Sequence, residues 1–208
     1  MSMNTDTRTC KLPRNFYERG EVTQISRELL GKFLCTRING APMTSGMIVE
    51  TEAYSAYGDK ACHANNDNRT DRTEVMFHQG GQAYVYLCYG IHHLFNVVTN
   101  VEGRADAILI RAVKPVDGIE TIMERRNKSR LNRTVAGGPG RLTDALGIRT
   151  DHYGIDLLSD TIWIEDRKIQ LNNEQIISGP RVGVDYAGED ALKPWRYRIR
   201  DSQWTSKA

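Results

Sequence analysis

Residues 47–63, MIVETEAYSAYGDKACH, constrain this chain more than any other stretch. Their first half alternates with the two-residue period of a β-strand. Ile48, Glu50, Glu52 and Tyr54 fall on one side of such a strand, and Val49, Thr51 and Ala53 on the other. Two carboxylates therefore share a face, about 6.6 Å apart, with a tyrosine beside them. Like charges that close, if buried, resist joint ionisation, so one keeps its proton or a cation joins them. The aromatic neighbour and the β-branched, apolar backing make Glu52 the first candidate for a general base. An edge strand with a solvated acidic face carries the same pattern.

The 208 residues suffice for one well-filled core, and no linker or break in composition divides them. A single domain over residues 12–208 is expected, after a polar, disordered tail over residues 1–11. No run approaches the roughly 20 apolar residues of a membrane helix, and the N-terminus lacks the apolar core of a signal peptide. Cys10, Cys35, Cys62 and Cys88 form no C-x-x-C pair and read as reduced thiols of a cytosolic protein. A formal net charge of +2 neither demands nor excludes nucleic acid, so a local basic patch has to supply any attraction.

Val22, Ile25, Leu29 and Leu30 recur at helical spacing, and Gly31 ends that helix near Leu30. A strand over residues 33–38, the turn signal Asn39-Gly40 and a partner strand over 44–54 form a hairpin that delivers Glu52 at its far end. Residues 55–73 read as a long loop, a length that is usually functional or disordered, and His63 lies within it. Over residues 82–99, QAYVYLCYGIHHLFNVVT, a second hairpin carries Tyr84 and Tyr86 on one strand face and Tyr89 beside the turn glycine Gly90. Tyr84 reads as core. Tyr89 reads as a solvent-facing contact or wedge.

AILIRAV, residues 107–113, is a buried strand interrupted by Arg111, which needs Glu50, Glu52 or a phosphate as a partner. A helix follows over residues 118–126, then a basic stretch with Lys128, Arg130 and Arg133. Gly137-Gly138-Pro139-Gly140 feeds a helix over 141–146, whose free N–H groups suit phosphate oxygens, although the G-K-[ST] ending of a Walker loop is absent. Short strands are expected over 161–165, 168–171, 179–184 and 193–199. The fold class is α+β: a mixed domain on a curved, mostly antiparallel sheet with a protruding β-hairpin.

Taken together, IVETEAY at 48–54, His63 nine residues beyond it, YVYLCYGIHHLFNVV at 84–98, LIRAVKP at 109–115, GPGRLTDALGI at 138–148, PRVGVDYAGE and KPWRYRI resemble the alkyladenine (3-methyladenine) DNA glycosylase family, which includes the human enzyme. The resemblance covers nearly the whole chain after residue 12. It implies that Glu52 activates the water and that Arg111 helps to hold it. It implies that an extruded base stacks among Tyr54, His63 and Tyr86, with Asn96 guarding against ordinary guanine. The main-chain carbonyl completing the water site falls on Val182 or Val184, with Val184 favoured. Tyr89 enters the duplex where the base has left, and Gly138, Gly140 and Arg141 are candidates for the DNA backbone. His92-His93 stands where vertebrate members carry aromatic residues, and the loop over 64–73 also departs; both bear on base preference rather than on the reaction.

The implied activity is monofunctional base-excision repair: flipping of alkylated or deaminated purines from double-stranded DNA and hydrolysis of the glycosidic bond. No cofactor, metal or membrane is implied, a monomer is expected, and the location is cytoplasmic at the bacterial nucleoid, or nuclear in a eukaryote. Two rivals use the same residues. A carbohydrate glycosidase would employ Glu50 and Glu52 as its acid pair. A non-catalytic module would bind nucleic acid through the tyrosine hairpin and basic loops.

Overall fold

A computed structural model describes residues 10–206. Its strands are β1 (Cys10–Lys11), β2 (Phe33–Thr36), β3 (Thr44–Tyr54), β4 (Ala83–Cys88), β5 (His92–Thr99), β6 (Asp106–Asp117), β7 (Ile162–Asp166), β8 (Ile176–Gly179) and β9 (Arg196–Ile199). They pair antiparallel in the order β1-β7-β2-β3-β6-β5-β4, curled into a half-barrel. The helices are α1 (Arg14–Tyr17), α2 (Val22–Glu28), α3 (Ile119–Arg125) and α4 (Pro139–Leu146). The expected α+β class with a β4–β5 hairpin is what forms. Among the described residues no helix is long and apolar enough to cross a membrane.

The long strand β3 is central rather than an edge. β6 lines one of its sides, while β2 pairs with its first half and β9 with Glu50, Thr51 and Glu52 on the other. Both carboxylates are therefore sealed between strands and fully buried. The register shifts on either side of Glu50, and Ile48 joins the main core cluster together with Ala53. The simple alternation that grouped Ile48 with the two glutamates thus breaks at Val49, because the irregularity turns the strand's faces over.

The main core lies where α2 and α4 cover the sheet: Ile25 and Leu29 on one side, Leu142, Ala145 and Leu146 on the other, over Phe95, Val97, Ile108 and Ile110. A second cluster, including Cys62, Val75, Met76, Phe77 and Tyr84, packs the loop after β3 onto β4 and β5. That loop is pinned by short 3-10 turns at Asn65–Asp67 and Glu74–Phe77. It is ordered because it buries apolar side chains of its own, which a solvated linker cannot do.

Several boundaries differ from the sequence expectation. Residues 1–9 of the expected tail lie outside the described residues, but Cys10 and Lys11 pair with Asp166 and Glu165 and belong to the sheet. No strand forms over 168–171: Lys168 adopts φ 64° and its N–H caps Asp166 at 2.8 Å, which makes a turn. The expected strand over 179–184 is displaced to β8, which ends at Gly179 because Pro180 has no N–H for a ladder. Residues 180–184 form a loop instead, and its backbone serves the site. The strand expected over 193–199 is confined to its last four residues, and α4 starts two residues early, with Pro139 in its first turn.

Candidate active site

Glu52 accepts three hydrogen bonds. Val182 N–H donates to Oε1 at 2.8 Å, and Tyr54 OH and Arg111 Nη1 donate to Oε2 at 2.7 and 3.3 Å. A carboxylate with no exposed surface keeps its charge only with such partners. Burial, and next the Glu52 charge, push the Tyr54 hydroxyl well above its ordinary range, so it stays a neutral donor. Glu50 is held differently. It accepts from Arg196 Nε at 2.7 Å, Arg111 Nε at 3.1 Å, Ser206 N–H at 2.5 Å and Ser206 Oγ at 2.8 Å. The cations required by two buried carboxylates are thus Arg111, shared by both, and Arg196. Glu50 is enclosed in this network, which argues against the glycosidase pair, since that chemistry needs a second carboxyl open to substrate.

In front of this network lies a cavity of about 430 Å³, lined among others by Tyr54, His63, Tyr86, Asn96, Arg111 and Val184. Five separate elements bring these residues together: β3, the loop after it, the β4–β5 hairpin, β6 and the loop over residues 180–184. The His63 and Tyr86 rings meet edge to face at 5.0 Å and 77°. His63 Nδ1 lies 2.9 Å from the Tyr84 hydroxyl, so Tyr84, although buried as expected of core, turns its polar tip to the site. Burial, and then Arg72, lower the His63 pKa to about 4, leaving the ring neutral near pH 7. Asn96 sits opposite Tyr84 on β5, and its Nδ2 donates to the Tyr84 carbonyl at 3.0 Å. Val184 lines the cavity, but its carbonyl accepts the Ala187 N–H at 2.9 Å; the residue of this loop that touches Glu52 is Val182.

A groove continues from the cavity past Tyr89, His92, Arg133, Gly138, Gly140 and Arg141. Tyr89 is 89% exposed and adopts φ 50°, followed by Gly90 at 71°. Two consecutive positive φ angles suit the tight turn of a twisted hairpin, and a tyrosine at the first is uncommon. The glycine-rich loop has two distinct steric causes. Gly138 has φ 145° at the cap of α4, and a Cβ on Gly140 would lie 2.8 Å from the His92 ring. The helix thereby sits tightly against the hairpin.

Several residues of the site carry no motif of their own. Arg181 pairs with Asp59 through two hydrogen bonds of 2.6 and 2.7 Å, both side chains fully buried. Its guanidinium lies 4.8 Å from the Tyr54 ring centre and 5.2 Å from that of Trp195. Arg181 stands in the PRVGV segment and Arg196 in KPWRYRI, so the segments are visible in the sequence while their contacts are not. Arg72, Asp59 and Ser206 lie in polar stretches where nothing separates them from solvated residues.

The description "Putative 3-methyladenine DNA glycosylase" belongs to a Bacillus thuringiensis (strain Al Hakam) protein that is 43% identical over 203 residues, covering 94% of this chain and 98% of its own. Proteins of the same description from Bacillus cereus (strain AH820) and Bacillus anthracis (strain A0248) are 44% identical over the same length. The family model for methylpurine-DNA glycosylase matches residues 15–203. A match of that extent, carried by likeness along nearly the whole of both chains, makes this chain a member of the methylpurine-DNA glycosylase family.

Proposed function

We propose that this protein excises damaged purines from duplex DNA by flipping the nucleotide into the tyrosine-lined cavity and hydrolysing its glycosidic bond. The observation that carries the reading is Glu52: a fully buried carboxylate, directed by Val182, Tyr54 and Arg111, directly behind a slot bordered by Tyr54, His63 and Tyr86. A stacked base hides its glycosidic bond, so extrusion comes first, at about a few kcal/mol, and less for damaged or mispaired bases. Tyr89, on the exposed hairpin tip, fills the gap left in the duplex, as side-chain wedges do in other DNA-bending proteins.

The sugar then develops positive charge as the bond from C1′ to the base nitrogen lengthens. Glu52 takes a proton from a water whose oxygen bonds to C1′, and the base leaves with the electron pair of the broken bond. Oε1 of Glu52 accepts one N–H in the resting protein and keeps a lone pair for that water. The carboxylate charge also stabilises the cationic sugar. A lyase route needs an amine nucleophile, and no lysine is among the residues lining the cavity, which supports plain hydrolysis.

The groove beside Tyr89 offers Arg133, Arg141 and the α4 N-terminus to the phosphodiester backbone. One chain carries both groove and cavity, so a monomer suffices. Its place of work is wherever the chromosome lies, which is the cytoplasm in a bacterium.

The test is Glu52→Gln, which keeps size and loses basicity. Release of 3-methyladenine or 7-methylguanine from alkylated duplex is expected to fall by about a hundredfold or more, while duplex binding persists. Near-normal release by the variant overturns the assignment.

A further inference from the structure

The charges around the cavity do not balance. Glu50, Glu52 and Asp59 are matched by Arg111, Arg196 and Arg181 in buried ion pairs. Arg72 adds a fourth arginine, and among the described residues it forms no salt bridge. Its guanidinium carbon lies 4.4 Å from the Tyr86 ring centre. Its Nε donates to the Tyr84 hydroxyl at 3.2 Å, and its Nη2 lies 3.3 and 3.4 Å from the two ring nitrogens of His63. The surplus positive charge is therefore held against three residues of the base-binding wall.

Two effects follow for an incoming base. A purine that carries a positive charge from alkylation meets a like charge on the same wall; the Arg72 side chain is solvent-exposed, so water weakens that repulsion without removing it. The tyrosine faces that reward a cation are also partly taken: Arg72 engages the Tyr86 ring, and Arg181 the Tyr54 ring. A neutral damaged purine meets neither penalty. Where it has a ring carbonyl or an unprotonated ring nitrogen, Arg72 and His63 are nearby N–H groups to satisfy it.

Resting on the proposed excision activity, we propose that Arg72 sets lesion selectivity in this protein, favouring neutral damaged purines, deaminated or etheno-bridged, over purines made cationic by alkylation. Arg72 is a specificity-determining residue acting through its charge; the hydrolytic step itself remains with Glu52. The low pKa of His63 has burial as its main cause, and the second cause agrees with this arrangement: the same guanidinium that disfavours a charged base also disfavours an imidazolium.

The experiment compares single-turnover release of hypoxanthine and of 7-methylguanine from duplexes of one sequence at one salt concentration. Wild type, Arg72→Gln and Arg72→Lys are each measured on both. The ratio of the two rates cancels any loss of folded protein. The 7-methylguanine to hypoxanthine ratio is expected to rise about tenfold in Arg72→Gln, as removal of one like charge at this range implies, and to stay within about threefold of wild type in Arg72→Lys. An unchanged or lower ratio in Arg72→Gln overturns the proposal. So does a rise in Arg72→Lys equal to that in Arg72→Gln, which makes shape rather than charge the cause. If wild type releases neither base, the excision reading itself fails, and this inference with it.

Discussion

His63 shows how a single side chain acquires its state from what surrounds it. A loop histidine in water titrates near 6.5, but here burial and then the Arg72 charge bring it down to about 4. A group whose folded pKa lies below its unfolded value adds stability that is complete above the unfolded value and is lost as pH falls through the folded one. The stability contributed by the neutral ring is therefore expected to be present at pH 7, to decline below about 6.5 and to be gone below about 4. Urea unfolding midpoints of wild type and His63→Gln, measured across that range, check this. The wild-type midpoint should fall more steeply with acid than that of the variant, and parallel curves would sink it. Glu52 lives under the same rule of surroundings: its proposed role rests on the set of donors at its two oxygens rather than on its place in a motif.

At the scale of elements, the β4–β5 hairpin does two jobs with opposite requirements. Its body is buried, with Val85, Leu94 and Phe95 in contact with the core, while its tip holds Tyr89 in the open. The tip contributes nothing to packing, so Tyr89→Ser is expected to change unfolding free energy by no more than about 0.5 kcal/mol. Binding to a duplex that carries a lesion analogue is expected to weaken about tenfold, because on the proposed function Tyr89 is a wedge that offsets part of the unstacking cost. Titration of both proteins against the same labelled duplex checks this, and equal affinities would remove the wedge role. The loop over residues 180–184 makes a similar point. Proline ends the strand, and the freed N–H of Val182 reaches Glu52 instead of a neighbouring strand.

Across the whole molecule, Glu50 is where distant parts of the chain converge. Arg111 comes from β6, Arg196 from β9, and Ser206 from the segment beyond Trp204. Removing one member of such a network leaves buried charge uncompensated. Glu50→Gln is expected to cost roughly 3 kcal/mol or more, read as a lower urea midpoint with an unchanged slope. A midpoint equal to wild type would show that the arginines find other partners. Its effect on base release should follow stability and the position of Arg111, since Arg111 lines the cavity and Glu50 does not.

Local order already spelled out much of this. The alternation through Glu50, Glu52 and Tyr54, the turn at Asn39-Gly40, the hairpin around Gly90 and the glycine-rich entry to α4 are all short-range patterns, and each formed near where its residues indicate. The α+β class followed from their sum, and the family from their joint spacing. Long-range contacts were not legible, because polar residues in loops look alike until the chain folds back on itself. Nothing local distinguishes Arg72 or Asp59 from solvated neighbours, or reveals that β9 would close over Glu50 and Glu52 and turn an apparent edge into the middle of a sheet. The chain by itself determined which groups were available and how each strand would present them. Tertiary structure decided which of two similar glutamates would take its donors from the cavity wall and which would be locked among Arg196, Arg111 and Ser206, because burial and charge pairing depend on neighbours brought in from far along the sequence.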